Sequence, residues 1–249
     1  MYKFFVNGEQ IGDNEIEITN DDVNHIKNVL RLRIGDKIEI CNISNSENFL
    51  CKITKLDSEF VKCSILEKIE SNSEANVYLH IFQGLPKADK METIIEKCTE
   101  IGVSEITPVI MKRCVVKLDD KTSYKKNLRW QKIAEVAAKQ SKRDKIPQVN
   151  LPISIKNIYE KIEKYDIVLV AYENEKKTNI KEVLEGLKPK QKINIAVIIG
   201  PEGGIEEDEI EDLRNIGANV ITLGKRILRT ETAPIVISSV IMYEFNEMV

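Results

Sequence analysis

The residues best suited to chemistry lie in two short segments that each follow a strand-like run. The first, residues 200–204, reads Gly-Pro-Glu-Gly-Gly and follows the apolar run 193–199. The second, residues 223–234, reads Leu-Gly-Lys-Arg-Ile-Leu-Arg-Thr-Glu-Thr-Ala-Pro and begins where the run 219–223 ends. Open α/β sheets bind their ligands at the carboxyl ends of their strands, so the two segments predict one shared crevice.

The glycine-rich segment predicts a place where a ligand approaches the backbone closely. Gly203 and Gly204 have no Cβ and can leave their N–H groups exposed at a turn. Four acidic residues at 206–209 suit the start of a helix but would repel a phosphate. The spacing is neither that of a P-loop nor G-x-G-x-x-G, and a plain structural turn remains an alternative.

The second segment combines an arginine, an acid and two hydroxyls at a strand end. Either Thr230 or Thr232 can cap a final helix whose first turn contains Pro234. Ile227 and Leu228 can belong to the core. These residue types permit charge stabilisation and proton transfer, but by themselves they do not specify a reaction.

Composition excludes several classes of protein. The chain has 249 residues, of which 42% are hydrophobic, and its apolar runs have the length of strands rather than of a membrane-spanning helix. The first ten residues lack a signal-peptide pattern, so we expect a cytoplasmic protein. Five scattered cysteines and two histidines show no metal-ligand spacing; we expect reduced structural thiols and no metal site.

Charge is distributed unevenly along the chain. Residues 112–145 contain twelve Lys or Arg and four Asp or Glu, whereas residues 1–70 contain nine and thirteen. A basic block in a chain of net charge −3 suggests a local contact with a polyanion. A solvated helix face is the alternative.

The first seventy residues have the pattern of short strands separated by turns. Strand-like runs occupy residues 4–6, 37–43, 49–56 and 60–66. One helix is expected between them, with Val23, Ile26, Val29 and Leu30 forming its apolar stripe. The pattern favours a small β-barrel that ends near the polar stretch 70–74.

From residue 73 onward, strands and helices alternate. Runs at 77–83, 105–110, 166–171, 193–199 and 219–223 read as strands. Apolar residues from Met91 to Ile101 recur at helical spacing, and Gly102 ends that helix. A second helix is expected over residues 128–140, with Ile133, Val136 and Ala137 on its inner face. The sequence therefore predicts an α/β fold with a mostly parallel sheet and helices on both faces.

Several motifs resemble those of a known family. Ile199-Gly-Pro-Glu-Gly-Gly204 and Leu223-Gly-x-x-Ile-Leu-Arg-Thr-Glu-Thr-Ala233 together resemble the SPOUT methyltransferases, and within them the RsmE family. Residues 25–33 with Gly35-Asp36 are similar to that family's N-terminal PUA-like barrel. Further matches are Lys90-Met-Glu, Glu100-Ile-Gly-Val103, Arg113 and Gln140-x-x-Arg143.

The resemblance implies a PUA-like barrel for RNA recognition in residues 1–72 and a SPOUT methyltransferase domain with a C-terminal trefoil knot in residues 73–249. It implies homodimers through the knot region and S-adenosylmethionine as cofactor. The matching cofactor positions are Ala171, Tyr172, Glu173, Gly200, Glu202, Gly203, Gly204, Leu223, Gly224, Ile227, Leu228, Thr230, Thr232 and Ala233. The catalytic candidates are Arg229, which can stabilise negative charge on uracil, and Glu231, which can act as base, cap a helix or bind Arg229.

The implied reaction is methylation of uridine N3 in small-subunit ribosomal RNA, either free or in the assembled subunit. N3 lies on the Watson–Crick edge, so the target must be unpaired or flipped out. The candidate RNA-binding residues are Arg31, Arg33, Arg113, Arg129, Lys139, Gln140, Lys142 and Arg143. Three alternatives remain open: another SPOUT methyltransferase, a non-catalytic ribosome assembly factor and, more distantly, a nucleotide-binding dehydrogenase.

Overall fold

The chain forms two compact units in a computed structural model that describes residues 1–70, 72–187 and 192–248. The first unit contains residues 1–74 together with 138–146, and the second contains residues 75–137 and 147–249. The sequence placed the division near residue 72 but gave no sign that a later segment belongs to the first unit.

A curled five-stranded sheet forms the first unit. Its strands are β1 (Lys3–Val6), β2 (Glu15–Thr19), β3 (Lys37–Asn42), β4 (Asn48–Leu56) and β5 (Phe60–Ile69), in the order β1-β3-β4-β5-β2. Alternate side chains such as Ile38 and Ile40 point into one apolar core with Ile16, Ile18 and Ile53. This period of two confirms the predicted small β domain. The sequence missed β2.

Between β2 and β3 lies the short helical segment that the sequence predicted. It consists of α1 (Asp21–Asn24) and a single π-helical turn, His25–Val29. Val23 and Ile26 are buried as expected, but Val29 is 63% exposed. Val29 is the last residue of the π turn, whose wider winding places it on a different face from the one that a regular α-helix would give it.

The segment 138–146 is held in the first unit by buried ion pairs. Lys3 pairs with Asp144, and both side chains are almost completely buried. Arg143 donates to both carboxylate oxygens of Glu74, at 3.2 and 2.7 Å. Ala138 packs against Phe5 and Cys41. Glu74, which the sequence placed in a linker, is therefore an anchor of this unit.

A parallel sheet forms the centre of the second unit. Its strands are β6 (Val77–Gly84), β7 (Glu105–Ile110), β8 (Gln148–Val149), β9 (Ile153–Ser154), β10 (Ile167–Ala171), β11 (Ile193–Ile199) and β12 (Asn219–Ile221). The order is β12-β10-β11-β6-β7-β8, with β9 also paired to β7, and each pairing is parallel. The central strands are buried along nearly their whole length, as in sheets covered on both faces.

The helices are α2 (Lys90–Ile101), α3 (Asp120–Gln140), α4 (Lys156–Tyr159), α5 (Ile180–Glu185), α6 (Glu207–Asn215) and α7 (Thr232–Glu244). Gly102 ends α2 with a φ of 113°, as its position predicted. The prediction for Val136 was wrong, since Val136 is 57% exposed while Ala134 and Ala137 are buried. The inner face of α3 thus contains Trp130 together with the small residues Ala134 and Ala137.

All five cysteines lie in the described ranges and are free thiols, and Cys41, Cys51, Cys63 and Cys98 are buried. Burial raises the pKa of Cys51 to about 12, which keeps this thiol protonated at neutral pH. Among the residues described, no helix has the length and apolarity needed to cross a bilayer.

Candidate active site

The two predicted segments meet at a cavity of about 470 Å³ at the carboxyl ends of β10, β11 and β12. Their meeting confirms that they share one crevice. The lining includes every predicted cofactor residue except Thr232, which is the half-buried first residue of α7. Arg229 lines the cavity, and Glu231 lies just outside it. Residues that the sequence did not assign to the site also line it: Lys90, Ile199, Pro201, Thr222, Lys225 and Arg226.

Close backbone contacts explain two of the glycines at the cavity. A Cβ on Gly84, at the end of β6, would lie 2.5 Å from the backbone nitrogen of Pro201. Gly204 has a φ of +75°, and a Cβ there would lie 2.2 Å from Oε1 of Glu173. A side chain at position 84 would therefore collide with backbone. At position 204 the left-handed φ favours glycine, and the Glu173 side chain would have to move to admit a Cβ.

Gln83 connects the glycine segment to the start of α7. The buried Gln83 amide donates to Oγ1 of Thr230 at 2.9 Å, and the Thr230 hydroxyl donates to the carbonyl of Gly200 at 2.7 Å. Thr230 thus fastens two loops together and does not cap α7. Glu231 occupies the N-cap position and makes no side-chain capping bond.

Lys90 joins the two loops through a pair of carboxylates. Its Nζ lies 3.1 Å from Oε1 of Glu202 and 3.1 Å from Oε2 of Glu231. Although burial raises the pKa of Glu231, its own backbone N–H and the Lys90 ammonium lower that pKa overall. Glu231 therefore forms an ion pair with Lys90, and Arg229, the partner that the sequence allowed, adds a smaller electrostatic stabilisation of the same carboxylate. A stabilised carboxylate is also a weaker base.

The acidic start of α6 is neutralised by the segment after β7. Arg113 makes a two-pronged ion pair with Glu206, with its Nε at 2.9 Å and its NH2 at 3.0 Å from the carboxylate oxygens. The same guanidinium donates to the carbonyl of Gly203 at 3.0 Å. Lys112 pairs with Asp208. Arg113, predicted to bind RNA, here supports the glycine segment.

The remaining predicted RNA-binding residues differ in their surroundings. Arg143 is only 4% exposed, which removes its charged group from direct contact with an RNA backbone. Lys139 pairs with Asp22 at 2.8 Å, and Arg129 pairs with Glu92 at 2.8 Å while staying exposed. The exposed positions are Arg31, Arg33, Gln140 and Lys142.

Comparison with known proteins agrees with this architecture. Residues 73–242 match the family described as RNA methyltransferase domain, and residues 18–66 match the RNA methyltransferase PUA domain. Ribosomal RNA small subunit methyltransferase E of Bacillus subtilis is 38% identical over 231 residues, covering 91% of this chain and 89% of that protein. The protein of the same name from Mesomycoplasma hyopneumoniae is 38% identical over 236 residues and covers 94% and 96%.

A solved structure shows the same likeness in three dimensions. The crystal structure of a ribosomal RNA small subunit methyltransferase E from Neisseria gonorrhoeae, bound to S-adenosylmethionine, aligns with a TM-score of 0.86. It is 26% identical, and the alignment covers 98% of this chain and 97% of that one. With these matches over almost its full length, the chain belongs to the ribosomal RNA small subunit methyltransferase E family.

Proposed function

We propose that the protein methylates N3 of a uridine in small-subunit ribosomal RNA, with S-adenosylmethionine as the methyl donor. The observation that carries the proposal is the cavity formed jointly by residues 200–204 and 223–233, in a chain that belongs to this family. The reaction fits a cytoplasmic enzyme, since its substrate is the ribosomal small subunit or the RNA of that subunit.

The cavity has a size and lining that suit this donor. Its volume of about 470 Å³ lies within the range of small-molecule pockets. Leu223, Leu228 and Ala233 offer apolar surface to a purine, and the exposed Glu173 offers a carboxylate to a positively charged group. The donor supplies a methyl group that is already electrophilic because it is carried by a sulfonium.

Arg229 is proposed as the residue that stabilises charge on the substrate. Its side chain is exposed at the cavity and, among the described residues, makes no ion pair at contact distance, although it interacts electrostatically with Glu231. N3 of uracil loses its proton to solvent water and takes the methyl group from the sulfonium, which becomes a neutral thioether. As the proton leaves, negative charge spreads to O2 and O4, where a guanidinium lowers the free energy of that charge. Glu231 is proposed to position Lys90 rather than to accept the N3 proton, because Lys90 already holds its carboxylate.

RNA contact is proposed to extend beyond the cavity to Arg31, Arg33, Arg129, Gln140 and Lys142, which are exposed. The target uridine must leave any base pair before N3 can reach the donor. The curled N-terminal sheet is proposed to recognise RNA shape, since it matches an RNA methyltransferase PUA domain.

A homodimer through α7 is also proposed. This helix carries apolar residues on its partly exposed side as well as its buried one, including Ile235, Val236 and Val240, while Tyr243 is 70% exposed. Such a face is stabilised when a second copy covers it. Light scattering should give twice the chain mass, and Val240→Glu should reduce that mass to one chain.

The test is methyl transfer from labelled S-adenosylmethionine to unmodified small subunits and to their naked RNA, followed by nucleoside analysis. Detection of N3-methyluridine would support the proposal. Faster methylation of the small subunit than of its naked RNA would show that the enzyme recognises the assembled particle. A different methylated nucleoside would support another methyltransferase specificity. Absence of transfer to both substrates, with no donor binding, would favour an assembly factor.

A further inference from the structure

The outer wall of the cavity is a short exposed loop, residues 224–228, which we call the rim loop. It contains Lys225 and Arg226, and both side chains are exposed. Across the described part of the chain, neither has a hydrogen bond or an ion pair. Lys90, which lines the same cavity, is instead bound by two carboxylates. The cations of the rim loop are therefore available to an anionic partner.

Ile227 follows these cations in the chain and lines the cavity with them; it is 84% exposed, the largest exposed fraction among the large hydrophobic side chains described. The backbone turns into the loop at Gly224, whose φ is +109° and beside which a Cβ would meet nothing within 4 Å. The loop thus presents an apolar side chain to solvent without any packing that holds it there. Leu223 and Leu228 on either side are only half exposed.

The chemistry of the loop favours nucleic acid as its partner. A second copy of the chain meeting the same loop would bring like charges together, which opposes association. RNA can bind both features of the loop. Its phosphates pair with the two cations, and the apolar face of an unstacked base can pack against Ile227. A target uridine that leaves its helix also leaves a gap in the base stack, and apolar side chains insert between base steps in other nucleic-acid complexes.

We propose that the rim loop is the entry site of the RNA strand, where Lys225 and Arg226 bind phosphates beside the target uridine and Ile227 packs against a neighbouring unstacked base. The inference rests on the proposed function and adds a specific RNA contact at the cavity, separate from the basic block 112–145. It also assigns Ile227 to the RNA, whereas the family resemblance assigned it to the cofactor.

The first test compares two double variants that each lose two positive charges. Lys225→Gln/Arg226→Gln changes the rim loop. Lys161→Gln/Lys192→Gln changes exposed lysines that precede β10 and β11, at the edge of the sheet opposite the cavity. The probes are unmodified small-subunit RNA and small subunits, with binding measured from ~50 to ~300 mM salt.

The rim variant should bind the preferred RNA about tenfold more weakly near ~0.15 M salt. The slope of the logarithm of its binding constant against the logarithm of the salt concentration should decrease in magnitude by ~1.4. The control variant should keep the wild-type affinity and slope. Both should bind S-adenosylmethionine as the wild type does. An unchanged RNA affinity and slope for the rim variant would overturn the inference, as would a loss of donor affinity equal to its loss of RNA affinity.

A second test examines the apolar contact. Ile227→Ser should lower methyl transfer at saturating donor by ~tenfold with unchanged donor affinity, and Ile227→Phe should keep most of the activity. Weaker donor binding by Ile227→Ser would show that this residue contacts the cofactor instead. A different mass of this variant by light scattering, compared with the wild type, would show that the loop is a contact between two copies of the chain. Wild type is assayed in parallel: its failure to methylate would refute the proposed function, whereas an active wild type with unaffected loop variants would refute this inference alone.

Discussion

Lys90 is the site residue whose role became visible only in the structure. Its ammonium holds Glu202 and Glu231, one from each loop of the cavity. Lys90→Gln removes the ionic bridge that holds the two loops together. Because the loops are then less well organised for binding, we expect about tenfold weaker binding of S-adenosylmethionine by calorimetry.

Lys97→Gln is the matched control for that prediction. Lys97 lies on the same helix α2 and also pairs with two carboxylates, Glu96 at 2.8 Å and Glu100 at 2.9 Å, but it does not line the cavity. Donor affinity should be unchanged in this variant. Equal affinities for both variants would show that the bridge does not organise the cavity.

Arg229 should affect the reaction more than the binding of the donor. Arg229→Ala should lower the rate of transfer at saturating substrates by ~10² to 10³, a loss typical of removing one group that stabilises developing charge. Donor affinity should change by less than about threefold. Arg229→Lys keeps the charge and should recover part of the rate in the same single-turnover assay. A wild-type rate for the alanine variant would exclude the proposed role.

At the scale of elements, the end of β6 and the glycine segment must approach each other closely. Gly84→Ala places a methyl group 2.5 Å from the nitrogen of Pro201, so the loop must move. We expect a loss of about 1–3 kcal/mol in the free energy of unfolding, together with weaker donor binding. Gly186→Ala is the control, because its Cβ would meet only ordinary contacts at 3.5 Å and beyond. Urea unfolding and donor titration of the two variants would reveal whether the contact matters.

The segment 138–146 offers a second prediction at this scale. Arg143→Ala removes a buried partner of Glu74 and should destabilise the protein by about 3 kcal/mol. Arg129→Ala removes an arginine of the same basic block whose side chain is 66% exposed, and the expected change is within about 0.5 kcal/mol. Thermal and urea unfolding distinguish the two. Similar small changes in both variants would mean that Arg143 is not a structural anchor.

At the scale of the whole molecule, a buried histidine makes stability depend on pH. Nδ1 of His80 lies 2.5 Å from the Tyr165 hydroxyl, and its Nε2 lies 2.7 Å from Oγ1 of Thr107. Burial, with smaller contributions from Lys164 and Lys161, lowers the pKa of His80 to about 3, although Glu105 opposes this. His80 is therefore neutral in the folded protein at pH 5, whereas it takes up a proton when the chain unfolds.

The direction of the effect follows from that difference. The stability associated with a neutral His80 is fully present above the unfolded pKa of about 6.5 and is lost as the pH falls towards 3. Between pH 7 and pH 5, the contribution of His80 to the free energy of unfolding should fall by about 2 kcal/mol. In urea unfolding, His80→Gln should not show this fall in stability between pH 7 and pH 5. His25→Gln, which changes the other histidine of the chain, should still show it. The prediction would be contradicted if the free energy of unfolding fell by the same amount between pH 7 and pH 5 in the wild type and in His80→Gln.

The sequence by itself determined the class of fold and the position of the site. Apolar runs of strand length, such as residues 105–110 and 193–199, were recognised with their observed bounds because local patterning decides them. The two loop motifs identified the cavity because ligand sites in parallel sheets lie at the carboxyl ends of the strands. The knotted path implied by the family resemblance stays a prediction.

Only the tertiary structure decided which charged residues have partners. Arg113, Arg129, Lys139 and Arg143 look alike in a basic stretch, yet Arg143 is buried on Glu74 and Arg113 holds the glycine segment. The partners lie 69 and 90 residues away along the chain. The same holds for Lys90, whose carboxylates lie beyond residue 200. Local patterns report what one segment prefers, whereas the pairing of charges depends on which distant segments the fold brings together, and no local pattern contains that information.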